Sequence, residues 1–555
     1  MSHRLSKILT LLLLSAGILF FINPNPFGNQ PAVIADETYF LTSATKALQD
    51  HTLPGWIVDP SAAYYGGTLT YILFFLLGIG GLGAWLAGAS TDQIVPWIAF
   101  HWGDLMHLGR IVNGLAVYGV LCWFGWQTMR LSKATSDPSI KWFGFFMAAL
   151  LCGGSIFIPL THTSKVWPIY VALELIAGWL VISTEWKRRH GIPINASRYF
   201  HALVFLALLS WSQVLFASLT FLWIIDALIL KHLTFQDIGR ALKRPWIWIG
   251  VVLSVLFNIS FLQNFFRLST QLTTLENLSG NVIVSAHPWL DRLLWPWKTL
   301  LLTHPLLLLL LIGTTLAMIR TERKETKLIR LMWLHAMVVF LLFHVAMGFG
   351  IGYRYILPLT VMAVIITSLH LMHPQRLRTI AACVCGLMAI ATLAKTAWLF
   401  WTPSSVQRME HAVANVSLPA DALLILHSGW FQVPVMNEAS IAITESATGL
   451  PVFRRFQVLN KTEDYRTRAV PYTVLADSSN PTVPTSTAWS SVWMIEDAPQ
   501  PSACATKQQD CLQINAPLDE MDAMGVTEGA SIVSLFRAPM IGRSYVLKRL
   551  PSPSP

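Results

Sequence analysis

The stretch VWPIYVALELIAGWLVISTEWKRR occupies residues 166–189. An aromatic residue and a proline open it, only Glu174 interrupts the apolar run up to residue 184, and three consecutive basic residues close it. A run of this length crosses the hydrocarbon core of a bilayer as a helix. Because similar runs recur along the chain, the sequence predicts an α-helical polytopic membrane protein.

The composition excludes most other classes of protein. The 555 residues are 54% hydrophobic and only 12% charged, and the mean hydropathy is +0.53. This balance of hydrophobic and charged residues is not that of a soluble globule, a collagen, a disordered chain or a small disulfide scaffold. The net charge of +10 comes from clusters of Lys and Arg between apolar runs. At these positions, basic residues determine which loops stay in the cytoplasm. No nucleic-acid partner is therefore expected, while membrane lipid is.

About eleven spans follow from the length criterion. They are predicted near 8–23, 110–129, 142–160, 166–184, 199–214, 216–230, 246–262, 299–319, 331–348, 355–372 and 379–400. The pair at 199–214 and 216–230 is short for two full spans. It is also compatible with a tilted or broken hairpin that turns near residues 211–218.

Basic loops predict the orientation, because Lys and Arg near span ends stay in the cytoplasm. One alternate set of loops is basic and the other is rich in Pro, Trp and His. The N-terminus and the basic set are therefore assigned to the cytoplasm. The other loops and residues 401–555 would face outside, which is the periplasm if the membrane is a bacterial inner (plasma) membrane. The basic set contains Arg4, Lys7, Arg130, Lys133, Lys141, Lys187–Arg189, Lys231, Arg240, Lys243, Arg244, Arg320, Arg323, Lys324, Lys327, Arg330, Arg376 and Arg378.

Two apolar segments leave alternatives open. Residues 68–89 could span, but that would move Arg130 and Lys133 outside. A segment along the outer leaflet, a re-entrant hairpin or a second crossing at 94–109 avoids this, and we favour a segment that does not span. The run at 8–23 could be a cleaved signal instead of a span, and both alternatives leave Asp36 outside. We favour the uncleaved span.

Residues 1–400 form the predicted membrane domain, with an external loop at 24–109, and residues 401–555 form a soluble extracytoplasmic domain of mixed α/β type. Polarity rises after residue 400, and short β-like runs occur at 422–426, 472–475, 491–495 and 531–536. Cys504 and Cys511 could form a disulfide in an oxidising compartment or remain free.

The strongest local signal for chemistry is Asp36-Glu37-Thr38-Tyr39-Phe40, directly after the first span. One interpretation is a capped interfacial helix, in which Asp36 caps and Tyr39, Phe40 and Leu41 contact lipid. The other is a carboxylate, held just outside the membrane, that removes a proton from an acceptor hydroxyl. The two interpretations are compatible with each other.

A first outward span, an Asp-Glu pair opening a helix, many spans and an outer C-terminal domain resemble the GT-C superfamily of integral-membrane glycosyltransferases. The chain looks most similar to the family 39-like branch of protein O-mannosyltransferases and lipid A aminoarabinose transferases. This resemblance implies a polyprenyl-phosphate sugar as donor. It also implies Asp36 as the catalytic base, with Glu37 beside it.

Gly350-Ile351-Gly352-Tyr353-Arg354-Tyr355-Ile356-Leu357-Pro358 resembles the Arg-Tyr-aliphatic-Leu-Pro segment of this superfamily. A snorkelling arginine in an interfacial aromatic belt explains the pattern equally well. In the functional interpretation Arg354, with Tyr355, binds the donor phosphate, because a guanidinium offers forked donors to phosphate oxygens.

Two further external segments are candidates for substrate binding. The turn at 161–168 carries His162 and Lys165, which would lie near the phosphate, although snorkelling and a helix start explain them as well. The turn lacks the second Asp of some relatives, so a metal-independent enzyme without a cofactor is expected. The loop at 263–298 carries His287, Arg292 and several tryptophans, which either bind sugar or belong to the interface.

The resulting prediction is a glycosyltransferase that moves a sugar from a lipid-phosphate donor to a hydroxyl of a glycan, lipid or protein. A lipid or lipid-linked sugar transporter (flippase), a surface-polysaccharide polymerase or ligase, and a non-catalytic scaffold are the alternatives. A transporter would need polar residues aligned inside the bundle, where Glu174 and Asp226 are the main acids. Histidines in apolar runs, such as His335, lack metal-ligand spacing and predict paired polar contacts.

Overall fold

We analysed a computed structural model of the chain, which contains a helical bundle and a five-stranded sheet. The described residues are 37–49, 51–54, 68–90, 102–155, 157–161, 167–210, 214–257, 289–320, 326–341, 356–373, 375–401, 422–427, 473–476, 491–498, 511–517 and 542–550. The predicted first span and much of the C-terminal region lie outside them.

Fifteen helices form within the described ranges. They are α1 (Glu37–Gln49), α2 (Thr68–Leu86), α3 (Trp102–Thr135), α4 (Ser139–Cys152), α5 (Phe157–Thr161), α6 (Trp167–Arg189), α7 (Ala196–Ser210), α8 (Val214–Ile229), α9 (Phe235–Leu242), α10 (Pro245–Phe257), α11 (Trp289–Thr303), α12 (Pro305–Arg320), α13 (Thr326–Val339), α14 (Leu357–Leu371) and α15 (Gln375–Trp401).

The bundle has a continuous apolar core. Helices α4, α6 and α14 are buried along most of their length, and their side chains belong to one cluster with those of α1, α2 and α3. Side chains on the peripheral helices α10 and α12 are largely exposed although apolar, as lipid-facing residues are. The chain is a helical membrane protein, as predicted.

Three described helices are long and apolar enough to cross a membrane: α2, α3 from Leu108, and α6. The predicted spans at 142–160, 355–372 and 379–400 correspond to shorter apolar helices within α4, α14 and α15. The predicted hairpin at 199–230 includes α7, which ends at Ser210, and α8, which begins at Val214. The total of about eleven spans stays a prediction.

The predicted continuous span at 299–319 is wrong. The chain bends by 118° between Arg292–Thr303 and Pro305–Arg320, so these residues form the end of α11 and the whole of α12. Proline is favoured at the first position of a helix because it lacks the amide hydrogen that would there be unpaired. Pro305 therefore starts a new helix where the apolar sequence had suggested continuity.

Helix α2 resolves part of the ambiguity at residues 68–89. It is one continuous helix, which excludes a hairpin turn within 68–86, and its length and hydropathy permit a span. Its first half packs on α1, and Thr68 and Tyr71 donate hydrogen bonds to the carbonyls of Leu209 and Leu256, near the ends of α7 and α10. From Ile79 to Leu86 its large apolar side chains are exposed.

Residues 102–109 belong to α3 and form no separate crossing. At 1.5 Å per residue this 34-residue helix is about 51 Å long. It is therefore longer than the hydrocarbon core of a bilayer, about 30 Å thick, and extends beyond the core.

Helices α3, α6 and α14 run in the same direction. Phe124 of α3 contacts Trp179 of α6 with ring centroids 4.7 Å apart, and His190 Nε2, just after α6, lies 3.7 Å from Asp137 Oδ2, just after α3. Gly178 of α6 faces Ile365 of α14, and Trp186 stacks on His373, just after α14. All three helices thus begin at one face of the bundle and end at the other. We call the face where α6 and α14 begin the site face. The opposite face, which carries Lys133 and Lys187–Arg189, is the basic face.

The C-terminal strands form one mixed sheet. They are β1 (Ala422–His427), β2 (Thr473–Ala476), β3 (Ser491–Ala498), β4 (Cys511–Pro517) and β5 (Gly542–Leu550), in the order β2-β1-β3-β5-β4. Strand β1 pairs in parallel with β2 and β3, whereas β5 pairs antiparallel with β3 and β4. Three predicted β-like runs are confirmed as strands. The run at 531–536 and Cys504 lie outside the described residues, so the disulfide stays a prediction.

Gly178 provides a test of the packing. A Cβ atom at Gly178 would lie 3.0 Å from the Trp223 ring and 3.4 Å from Ile365, and Trp223 is fully buried and unable to yield. We expect Gly178→Val to cost about 1–3 kcal/mol through overpacking. The measurement is the thermal unfolding midpoint of purified protein in detergent.

The matched control is Gly313→Val on α12, where a Cβ atom would meet nothing within 4 Å. This control should unfold close to the wild-type midpoint. Equal losses in the two variants would contradict the described contact between α6, α8 and α14.

Candidate functional site

Most predicted site residues lie outside the described part of the chain, although the helices next to them are described. The residues outside it are Asp36, His162, Lys165, His287, Arg354 and Tyr355. Glu37 is the first residue of α1, and Arg292 is a half-buried residue of α11. The structure therefore describes the helices that carry or follow these residues, and the placement of the residues themselves stays a prediction.

Helix α1 is buried in the protein. Phe40, Leu41 and Ala44 are fully buried and share a core cluster with Leu69 and Leu73 of α2. The apolar residues recur with helical spacing, so one stripe of α1 packs inward. This contradicts the expectation that Phe40 and Leu41 contact lipid. Asp36, which directly precedes α1, is attached to a packed element of the core.

The starts of α6 and α14 lie at a similar depth. Gly178 of α6 faces Ile365 of α14. From this contact Trp167 is about 16 Å away along its helix and Leu357 about 12 Å away along its own, at 1.5 Å per residue. Trp167 and Leu357 are both buried. Lys165 precedes Trp167 by two residues, and Arg354 precedes Leu357 by three.

Arg110 is a charged residue that the sequence analysis missed. It is only 1% exposed. It lies about 21 Å along α3 from Phe124, while Trp167 lies about 18 Å along α6 from Trp179, the contact partner of Phe124. Arg110 is therefore buried at the depth where α6 begins. Its position at the start of the predicted span 110–129 made it look like a boundary residue.

His304 attaches the bend between α11 and α12 to the end of α4. Its Nε2 donates a hydrogen bond to the Leu150 carbonyl at 2.6 Å, and its Nδ1 accepts one from the Leu307 amide at 3.3 Å. The Ser155 amide and hydroxyl both donate to the Thr303 carbonyl, at 3.0 and 3.1 Å. Since α4 ends and α6 begins at the same face, the bend lies at the site face.

Two tryptophans of α11 have partners in the protein. The Lys298 ammonium lies 5.3 Å from the Trp295 ring centroid, and Trp297 packs against Phe340 with centroids 5.5 Å apart. Both contacts favour a structural role for these rings over sugar stacking. Helix α11 also carries Arg292, which lies before the 118° bend that separates α11 from α12.

No group of three or more His, Cys, Asp or Glu suited to a metal ion occurs among the described residues. Asp36 and the turn at 162–166 are outside that set. Metal independence accordingly stays a prediction.

Comparison with known proteins gives one structural likeness. No protein-family model matches the sequence, and no curated protein matches it. The fold is similar to a crystal structure of ArnT from Cupriavidus metallidurans bound to undecaprenyl phosphate, with a TM-score of 0.46 and 11% identity. The match covers 97% of each chain. It concerns the overall fold and assigns no residue a role.

The anchoring role of His304 leads to a second prediction. His304→Phe keeps a ring of similar shape but leaves the buried Leu150 carbonyl without its donor. We expect a loss of about 1–3 kcal/mol, the usual cost of an unsatisfied buried polar group. The thermal unfolding midpoint in detergent measures it.

Thr303→Val is the matched control, because the Thr303 hydroxyl donates only within its own helix, to the Thr299 carbonyl at 2.7 Å. Its midpoint should fall less than that of His304→Phe. If the order were reversed, the bend would not depend on the contact between His304 and α4.

Proposed function

We propose that the protein is a glycosyltransferase whose active site lies at the site face. It transfers a sugar from a polyprenyl-phosphate donor to a hydroxyl of a glycan, lipid or protein acceptor, with inversion at the anomeric carbon. The site face is the outer face of a bacterial inner membrane in this proposal, and the donor serves as co-substrate without a separate cofactor.

The proposed chemistry is a single displacement. The Asp36 carboxylate removes the proton of the acceptor hydroxyl, and the oxygen attacks the anomeric carbon from the side opposite the phosphate. The bond between that carbon and the phosphate oxygen breaks, which leaves negative charge on the phosphate. Arg354, with Lys165 or His162, stabilises this charge and lowers the barrier.

Other predicted residues have supporting roles in this proposal. Glu37, next to the base, adjusts its charge environment. Tyr355, Arg292 and His287 bind the donor from its other sides. The apolar helix faces hold the polyprenyl tail.

The observation that carries the proposal is that α6 and α14 begin at one face and that α1 belongs to the same packed bundle. Helix α1 packs on α3, α3 packs on α6, and α6 packs on α14. The residues with transferase chemistry precede α1, α6 and α14 by one to five positions in sequence. Arg110, buried at the same depth, adds positive charge suited to a phosphate-bearing substrate.

One observation favours a transporter as the second candidate. The bundle contains buried acid–histidine pairs, Asp226 with His335 and Glu185 with His232. A transporter of an amphipathic lipid would use such groups. A non-catalytic scaffold is the third candidate, because the turn at 161–168 lacks a second carboxylate.

The experiment uses purified protein in detergent with a panel of radiolabelled polyprenyl-phosphate sugars. For Asp36→Asn we expect donor binding to survive and sugar release to fall by about 100-fold or more, because a general base is lost. For Arg354→Ala we expect weaker donor binding, because a charge-assisted bond to phosphate is lost.

Asp50→Asn, just after α1, and Arg320→Ala, at the end of α12, are the controls that remove the same charges elsewhere. Both should retain binding and turnover. If no lipid-linked sugar binds, or if Asp36→Asn turns over like the wild type, the proposal is wrong. Sugar-lipid movement across liposomes without sugar release would then establish the transporter.

A further inference from the structure

The segment that links α8 to α10 carries a surface that the proposed transferase does not use. This segment contains α9, and residues 231–244 include four basic residues and one acid. We call its exposed part the α9 surface. Its members, all exposed, are Lys231, Phe235, Arg240, Leu242, Lys243 and Arg244.

The α9 surface lies at the basic face. His232 Nε2 lies 2.9 Å from the Glu185 carboxylate, and Glu185 also pairs with Arg188 and Arg189 near the end of α6. Helix α9 begins three residues after His232, a link that reaches about 10 Å at most. Because α6 ends at the basic face, α9 begins there as well.

Helix α9 is apolar on one exposed side and charged on the other. Ala241 is fully buried, and α9 packs on α7. Phe235 and Leu242 are seven positions apart and share one side, where Phe235 is 83% exposed. At 3.6 residues per turn Arg240 lies on nearly the opposite side from both. A helix with this pattern lies in the plane of the membrane interface, with its apolar side toward the acyl chains.

The start of α10 places α9 at the level of the lipid headgroups. Trp246 and Trp248 open α10 and are both exposed, and exposed apolar residues such as Val252 follow them. Tryptophan is enriched where a membrane-spanning segment meets the headgroups. The Trp248 Nε1 donates a hydrogen bond to the Leu242 carbonyl at 2.9 Å, so the end of α9 is held at that level.

The positive charge of the α9 surface is largely uncompensated. The Arg240 guanidinium lies 3.7 Å from the Asp237 carboxylate. In the described part of the chain, Lys231, Lys243 and Arg244 take part in no salt bridge. Three exposed cations are therefore available to an anionic partner at the depth of the headgroups.

Lys231 occupies a backbone position that favours glycine. Its φ is 57°, and it follows the end of α8 in a Schellman motif. The Lys231 amide donates to the Leu228 carbonyl at 2.9 Å, and the His232 amide donates to the Ala227 carbonyl at 2.8 Å. A left-handed conformation is costly for residues with a Cβ atom. The lysine therefore gives up stability that glycine would provide, and a binding role for its ammonium group explains this.

We propose that the α9 surface binds the headgroups of anionic phospholipids in the membrane leaflet at the basic face, a function beyond the proposed sugar transfer and independent of it. Its ammonium and guanidinium groups bind phosphate oxygens. Phe235 and Leu242 insert among the acyl chains. Basic clusters on an amphipathic helix beside a membrane span attract anionic lipid in this way, and the contact holds the basic face at a fixed depth.

The test uses the full-length protein in phosphatidylcholine bilayers with a trace of photoactivatable phosphatidylglycerol or photoactivatable phosphatidylcholine. After illumination and digestion, mass spectrometry measures how much of each lipid is attached to peptides from residues 231–249. We expect phosphatidylglycerol to be preferred by roughly tenfold or more. In Lys231→Gly we expect this preference to fall by roughly fivefold, the usual contribution of one basic residue at a membrane surface.

Ser136→Gly is the matched control, because Ser136 is exposed just after α3, at the basic face, with a φ of 54°. Both substitutions relieve the same backbone conformation, so neither should lower the thermal unfolding midpoint. Only Lys231→Gly removes a charge, and only it should lower the lipid preference. An unchanged preference in Lys231→Gly, or equal attachment of the two lipids to the wild type, overturns the proposal.

Lys243→Gln combined with Arg244→Gln keeps the test decisive if Lys231→Gly does not fold, and it should lower the preference at least as much. Lys133→Gln, at the end of α3, is its control and should retain the preference. Inorganic phosphate, compared with sodium chloride at equal ionic strength, distinguishes lipid from a free anion. If phosphate alone abolishes the preference, the surface binds free phosphate and the proposal is wrong. Binding of the sugar donor, measured in parallel, should be the same in every variant.

Discussion

The contact of Gly178 with Trp223 and Ile365 determines how the rest of the bundle is arranged. Because Gly178 has no side chain, α6 approaches α8 and α14 closely at this point. Close approach at small residues is the main way in which helices associate where no hydrophobic effect drives them together. Together with the stacking of Trp186 on His373, this contact shows that α6 and α14 run in the same direction and begin at one face. The same contact brings Trp223 and His335 next to α6.

Helix α6 connects two chemically different ends of the molecule. Its start follows the turn with His162 and Lys165, where the proposed reaction places anionic phosphate. Its end carries Glu185, bonded to His232 and two arginines. Glu174 lies between these ends, buried in the apolar core. A single helix thus begins next to the proposed transferase site and ends with a buried acid–histidine pair at the opposite face.

The sequence predicted α6 well because the spacing of its apolar residues, its length and its flanking residues all indicate the same membrane-spanning helix. The predicted span 166–184 lies almost wholly within the observed helix Trp167–Arg189. The sequence also predicted that His335 would have a polar partner. It did not identify Asp226 as that partner, since the two residues are 109 positions apart and their contact depends on tertiary packing.

Two features of the site face escaped the sequence analysis for physical reasons. The run at 299–319 is uniformly apolar around His304-Pro305, and hydropathy does not register the interhelical bond that fixes the bend there. Arg110 was placed at the edge of the predicted span because a charged residue usually marks the end of a membrane-spanning segment. Its burial depends on α3 continuing beyond the membrane core, which only the helix length of 34 residues reveals. Most site residues lie outside the described ranges, so their predicted roles depend on the resemblance.

The packing of the described helices also separates the two leading functional candidates. Alternating access requires groups of helices to move apart around a central site. Here Glu185–His232 ties α6 to the segment after α8, and Asp226–His335 ties α8 to α13. Breaking such a buried hydrogen bond leaves its polar groups unsatisfied, which costs about 1–3 kcal/mol. Separation at these contacts is therefore unfavourable, while a transferase requires only that its first carboxylate be held on a packed helix such as α1.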